Sequence, residues 1–269
     1  MGRAKEIVVK VIPAKIANEF VKEKHYSHKV AATGEISFGA FLDNKLIGVA
    51  QFGRPINKYL HLHIVENTKW NDFLELNRLV LIDDTPKYSE SRFIKICILL
   101  IKKNAPHIKW IMSFADATQC GDGTIYRASG FVLTNINESK QLYLLPNGET
   151  LHLMGLQGGQ HGNLRKKMLA SGYGNAKKYM IDILKGVPMV GKQLKYIYLI
   201  DKTCKITVPI LPFSKIDEMG AGMYKGKKTT IESRKPQAGL PHKGEGQSIQ
   251  IAGAFDSTIP LNINEITVK

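Results

Sequence analysis

Along the first 155 residues, stretches whose apolar side chains recur every second residue alternate with stretches where they recur at helical spacing. Such a chain can bury its apolar surface only as a sheet with helices packed on it. Residues 6–12 read as a strand. Pro13 then suits the first turn of a helix carrying Ile16, Ala17, Phe20 and Val21 on one face. Two strands, 36–42 and 46–52, flank the short turn Asp43-Asn44-Lys45, and residues 75–82 make a strand apolar enough to be central. Ser89 or Ser91 is expected to cap the next helix, whose buried stripe is Phe93, Ile96, Cys97, Leu100 and Ile101. A strand at 108–115, a short helix ending at Gly130, a strand opening at Phe131 and a hairpin across Pro146-Asn147-Gly148 follow. The order implies an α+β mixed sheet flanked by helices, with at least one parallel crossover.

Beyond this core (1–156) the texture changes. Residues 157–216 read as an extension packed on it, with a helix at 176–184 and a strand at 196–200. Residues 217–269 read as a basic, extended C-terminal arm, rich in Gly, Lys, Pro and Ser up to about residue 250. The formal net charge of +15 points to a polyanionic partner. No apolar run is long enough to span a bilayer, and the first residues do not resemble a secretion signal. Cys97, Cys120 and Cys204 are widely spaced without a CxxC pair, so a reducing cytoplasm is expected.

Several motifs carry a resemblance. Tyr126-Arg127-Ala128-Ser129-Gly130-Phe131, following the strand that ends at Asp116, resembles the fourth-helix region of GNAT acyltransferases. The run from Ser113 to Tyr126, together with Glu75-Leu76-Asn77-Arg78-Leu79, Ser89-Glu90-Ser91-Arg92-Phe93 and His25-Tyr26-Ser27-His28, is similar to the bacteriophage Mom family. The resemblance implies a GNAT-like fold and a phage enzyme, working in the infected host's cytoplasm, that places a carbamoylmethyl group on N6 of adenine in double-stranded DNA and so blocks restriction. It also implies iron, for which His25, His28, Asp116 and Cys120 are candidate ligands, although no short-range spacing enforces such a site.

The exocyclic amine of adenine is a poor nucleophile inside a base stack, so the base must be extruded and its amine oriented and deprotonated. Asp116, at a strand end, is the first candidate for that task; a turn-capping carboxylate is the competing reading. Tyr126 is the candidate proton donor to the leaving group, or else a core aromatic. His25 and Tyr26 are candidates for substrate recognition, and Ser113 and Ser91 for hydrogen bonds to an oxyanion or phosphate. Arg78 and Arg92 suit phosphate or carboxylate, or ion pairs with Glu75 and Glu90.

The segment 83–92, where a GNAT enzyme would hold the coenzyme A pyrophosphate, has no glycine and contains Asp83, Asp84 and Pro86. That argues against conventional acetyl-CoA binding and favours glycyl-tRNA as donor. Lys225, Lys227, Lys228, Arg234 and Lys235, interleaved with glycines, are candidates for tracking DNA phosphates, with Lys243, Lys166, Lys167, Lys177 and Lys178 behind them. Two other classes remain open: a conventional GNAT acetyltransferase acting on a protein, tRNA or small amine, and a non-catalytic DNA-binding protein. The number of subunits is not legible.

Overall fold

The computed structural model describes residues 2–139, 141–157 and 162–230. Seven strands form one sheet: β1 (Val8–Val11), β2 (Gly34–Leu42), β3 (Lys45–Gly53), β4 (Phe73–Leu81), β5 (Trp110–Asp116), β6 (Val132–Ser139) and β10 (Gly191–Leu199). Their order is β1-β2-β3-β4-β5-β10-β6. The mixed α+β sheet expected from the periodicity is therefore present. Its parallel pair is β4–β5, joined by helix α2 (Ser89–Asn104) as the crossover. The β2–β3 turn is tight because Asp43 and Asn44 both take positive φ, as short hairpins demand.

One face of the sheet packs α2 and the short helix α3 (Thr124–Ala128) in a core that includes Phe52, Leu76, Phe93, Cys97, Ile111, Tyr126 and Tyr196. On the other face α1 (Ala14–Lys24) covers β3 and β4 through Ala17 and Val21, against Val49 and Val80. Further along that face a 3-10 stretch, Lys58–Ile64, and a strap containing Cys204, Ile206 and Val208 cover Phe73, Trp110, Met112 and Ile197. The expected α2 cap is not seen. Tyr88, in the left-handed region, takes the N-cap position without a side-chain cap, while Ser89 and Ser91 donate back to the carbonyls of Pro86 and Tyr88.

Two boundaries drawn from composition fall elsewhere. Strand β10 lies inside the main sheet, between β5 and β6, so the sheet does not close at residue 156. What is set apart is an insertion between β6 and β10: a small sheet of β7 (Leu142–Leu144), β8 (Thr150–His152) and β9 (Val187–Pro188), with helices α4 (Leu153–Gln157), α5 (Gly162–Ala170) and α6 (Ala176–Asp182). It has its own core around Tyr143, Leu151, Leu156, Met168, Tyr179 and Met180. Nor is the chain after 217 an arm from its start. Helix α7 (Ser214–Glu218) and the hairpin of β11 (Met223–Tyr224) and β12 (Lys227–Lys228) bury Ile216, Ala221 and Met223 in the main core. Three well-spaced apolar residues suffice to anchor a segment whose average composition is that of a solvated chain.

Candidate active site

The sheet opens where β4 and β5 part. Parallel pairing runs from Phe73–Trp110 to Leu76–Ser113, while β4 continues to Leu81 and β5 to Asp116. At that point Asn77 is the extra residue of a bulge against β3, whose Gln51 pairs with Arg78 and Phe52 with Leu76. Ligands of open α/β sheets collect at such carboxyl-end crevices.

Asp116 ends β5 at the crevice. Its Oδ1 accepts the Thr118 amide at 2.9 Å, and its Oδ2 accepts Gln119 Nε2 at 3.1 Å and the Tyr26 hydroxyl at 3.4 Å. These bonds fix the carboxylate without enclosing it. Tyr26, 44% exposed, comes from the α1–β2 connection; burial of its hydroxyl end and the adjacent Asp116 hold the phenol above its ordinary value. Behind it His25, 7% exposed, packs its ring at 4.4 Å from the Tyr26 ring. His25 Nδ1 accepts the Ser27 amide at 3.1 Å. Burial, then the charges of Arg78 and His28, push this imidazole down to about 3, so it is neutral at pH 7 and serves as a prop for Tyr26.

Arg78 ties the same loop to β4. Its Nε donates to Lys29 O at 2.8 Å, and its terminal nitrogens to Asn77 O at 2.6 Å and Val30 O at 3.4 Å. The guanidinium is thus spent on carbonyls, and the alternative of a Glu75 ion pair is not what these bonds describe. Glu75 is instead half-buried, its carboxyl pushed up to about 7 by desolvation, only partly offset by Asn77 and the Arg78 charge. Tyr126, 7% exposed, lies in the floor of the crevice. Its phenol hydrogen-bonds Ser113, whose Oγ in turn donates to Leu76 O at 3.2 Å, and burial pushes the phenol up to about 12. Cys120 lies at the rim, its thiol raised by burial and then by Asp116.

Asp116, Tyr26, His25, Tyr126, Ser113 and Arg78 thus come to one place. Ser91 and Arg92 do not: they sit in the first turn of α2, Arg92 donating to Lys5 O at 3.2 Å instead of pairing with Glu90. The four candidate iron ligands do not fit a metal. Among the described residues no three His, Cys, Asp or Glu side chains converge on a point, His28 faces the Lys22 carbonyl at 2.8 Å, and His25 and Asp116 are bonded as above. Lys225, Lys227 and Lys228 lie on the β11–β12 hairpin, which is fastened to the crevice rim by Gly226 N to Cys120 O at 2.7 Å and Asp122 N to Met223 O at 3.0 Å. Arg234, Lys235 and Lys243 lie outside the described residues.

Sequence reading missed the third wall of the crevice, supplied by the insertion. Lys29 Nζ donates to Thr150 O at 3.0 Å and feels Glu149, and His152 feels Lys29 and Asp116. Nothing local in the β7–β8 hairpin announces this, because the two sides of the wall are separated by more than a hundred residues of chain.

Known proteins are similar to this chain in fold and in sequence. An acetyltransferase of the GNAT family from Streptococcus pneumoniae overlays 49% of this chain and 89% of its own at 13% identity and a TM-score of 0.34. The ribosomal-protein-S18-alanine N-acetyltransferase of Escherichia coli overlays 72% and 94% at 10% identity and a TM-score of 0.39. At these scores nothing about ligand or activity carries over. In sequence, the methylcarbamoylase Mom of Escherichia phage Mu is 34% identical over 164 residues, 59% of this chain and 67% of that protein. The family model of the Mom protein family matches residues 6–215. The chain belongs to the Mom protein family and is a transferase enzyme.

Proposed function

We propose that this transferase modifies DNA, placing a carbamoylmethyl group on N6 of adenine at the β4–β5 crevice. The observation that carries the reading is the Asp116 carboxylate, fixed at the strand end and hydrogen-bonded by the Tyr26 hydroxyl, in a chain whose family includes a methylcarbamoylase. Asp116 orients the exocyclic amine and takes its proton as the new bond forms. Tyr26 lines the approach of the base, Arg78 and His25 hold the loop that carries Tyr26, and Tyr126, protonated at neutral pH, supplies a proton to the leaving oxygen from the floor.

Glycyl-tRNA is the donor this site favours. Attack of the adenine amine on the glycyl ester forms the N–C(acyl) bond and releases the tRNA hydroxyl. The free glycine amine then attacks C6 of the ring and expels the amide nitrogen, leaving N6 substituted by a carbamoylmethyl group, with no redox step. Conventional acetyl-CoA use is the second reading; the glycine-free, acidic segment 83–92 disfavours it. The positive surface of the insertion, Arg165, Lys166, Lys167, Lys177, Lys178 and Lys185, all exposed, sits on the unit that walls the crevice and suits the DNA backbone.

The test is mass spectrometry of nucleosides from DNA of bacteria expressing the protein and fed labelled glycine. Carbamoylmethyl-deoxyadenosine carrying the label is expected; unmodified deoxyadenosine alone would sink the reading, and label arriving from acetate instead would sink the donor.

A further inference from the structure

Among the described residues, the face of the sheet beside Asp116 leaves polar side chains of β6 and β10 exposed or half-buried, which is unusual for a sheet surface. Leu194 and Tyr196 of β10 and Ile136 of β6 are buried with α2 and α3 in the core of the opposite face. Alternation then turns Gln193, Lys195, Asn135 and Asn137 the other way. The register sets them in two rows: Asp116 opposite Gln193 opposite Asn137, and Phe114 opposite Lys195 opposite Asn135. Gln193 and Asn137 are exposed, and Phe114, Lys195 and Asn135 are half-buried. The Lys195 ammonium lies 5.8 Å from the Phe114 ring centroid, and the His61 ring 6.2 Å from it. Next to this row a recess of about 310 Å³ opens between Lys195, Thr134 and Asn135 on one side and His63, Ile64, Val208 and Leu211 on the other.

Accepting adenine as the substrate of Asp116, we infer that the extruded nucleotide lies along this open face, its base against Phe114 and its phosphate on Lys195, with the Gln193 amide reading the base edge. An amide beside the carboxylate can accept one N6 hydrogen while donating to N7, the pairing by which Asn and Gln select adenine, leaving the other N6 hydrogen to Asp116. An aromatic face supports any base, and a flipped base needs such a platform to offset lost stacking. Lys195 is suited to the phosphate because its half-buried ammonium, over the Phe114 ring, is partly desolvated, which lowers its pKa and strengthens its attraction for an incoming anion. Its positive charge in turn helps burial hold His61 down at about 4, keeping that ring neutral next to the base. Phe114 lies in the run from Ser113 to Tyr126 and Lys195 opens Lys195-Tyr196-Ile197-Tyr198, a weaker echo of the same family, but with Gln193 and Asn137 they become neighbours only because β10 enters the sheet between β5 and β6.

The experiment titrates the full chain with dAMP and dTMP by calorimetry, for the wild type and for Gln193→Ala and Lys195→Gln, with thermal midpoints measured in parallel. Gln193 is exposed and Lys195 half-buried at the end of β10 away from the buried Ile197, so both variants are expected to fold. The expected result is dAMP bound in preference to dTMP by the wild type, Lys195→Gln weakening both nucleotides at least about fivefold, and Gln193→Ala erasing the preference while keeping most of the affinity. Wild-type affinities and preference in both folded variants would overturn the inference, as would absence of any dAMP binding by the wild type. If Lys195→Gln does not fold, Gln193→Ala alone decides through the dAMP-to-dTMP ratio. Failure of the DNA-modification reading is separate: it shows as unmodified deoxyadenosine in cells, whatever the calorimetry gives.

Discussion

In the proposed mechanism Asp116 takes the proton and Tyr26 lines the approach of the base, and their removal is expected to be specific. Asp116→Asn keeps the shape of a side chain that accepts from Thr118 and Gln119 but removes the charge, and Tyr26→Phe deletes one hydroxyl from an exposed ring. Asp116→Asn should lower the rate of DNA modification roughly 10²- to 10⁴-fold and Tyr26→Phe by less, each with little change in thermal midpoint. Near-normal rates in both would remove this pair from the mechanism. Glu75 behaves differently. Its folded pKa, pushed up to about 7, stands above the ordinary 4.5, so the folded state is penalised once pH rises through the window between the two values. The difference is worth roughly 3 kcal/mol at full ionisation, at about 1.4 kcal/mol per unit. Glu75→Gln should therefore stabilise the protein more at pH 8 than at pH 5; equal shifts at both pH values would show that the carboxyl is not held neutral. Among the candidates, Asp116 stood out because it ends a strand, and Tyr26 and Tyr126 because they lie in the motifs His25-Tyr26-Ser27-His28 and Tyr126 to Phe131. Glu75 was not, since a carboxylate in an apolar run reads equally well as a surface charge until the fold buries it.

Among the elements, α3 shows how closely the crevice floor is built. It begins at Gly123, φ +83°, where an added Cβ would lie 2.4 Å from the Tyr196 ring. That ring is fixed by its hydroxyl donating to Asp122 O at 2.5 Å. Gly123→Ala is expected to destabilise by about 2 kcal/mol or more, combining left-handed strain with overpacking. Gly148→Ala has a similar φ of +82° with no atom within 4 Å, and should show the strain alone, about 1 kcal/mol. Chemical denaturation of the two variants checks the difference, and equal losses would mean that the Tyr196 ring yields easily. The helix and strand positions followed from apolar spacing and glycine stops, as at Gly130, whose φ is +84°. The α2 cap did not, because Ser89 and Ser91 satisfy nearby carbonyls once Tyr88 has taken the left-handed position.

Across the whole molecule, charge and topology divide the work. The exposed lysines of the insertion sit on and beside α5 and α6, while those of the β11–β12 hairpin are tied to the crevice rim near Cys120. Replacing Lys166, Lys177 and Lys178 by alanine should weaken duplex binding evenly across sequences and flatten the salt dependence, by roughly one unit of log–log slope for each phosphate that is no longer neutralised. An unchanged slope in fluorescence anisotropy would put the DNA elsewhere. The amino-acid order alone determined most strands and helices of the first 155 residues, though not the helical stretch at Lys58–Ile64, together with the mixed sheet class, the net positive charge and the motifs that place the chain near its family, because each of these is written in residues close together along the chain. Only the tertiary structure decided that β10 enters the sheet between β5 and β6, that residues 214–224 are anchored in the core, and that an insertion walls the crevice. Those three depend on pairings between residues tens to more than a hundred positions apart, where burial rewards an arrangement that no local pattern records.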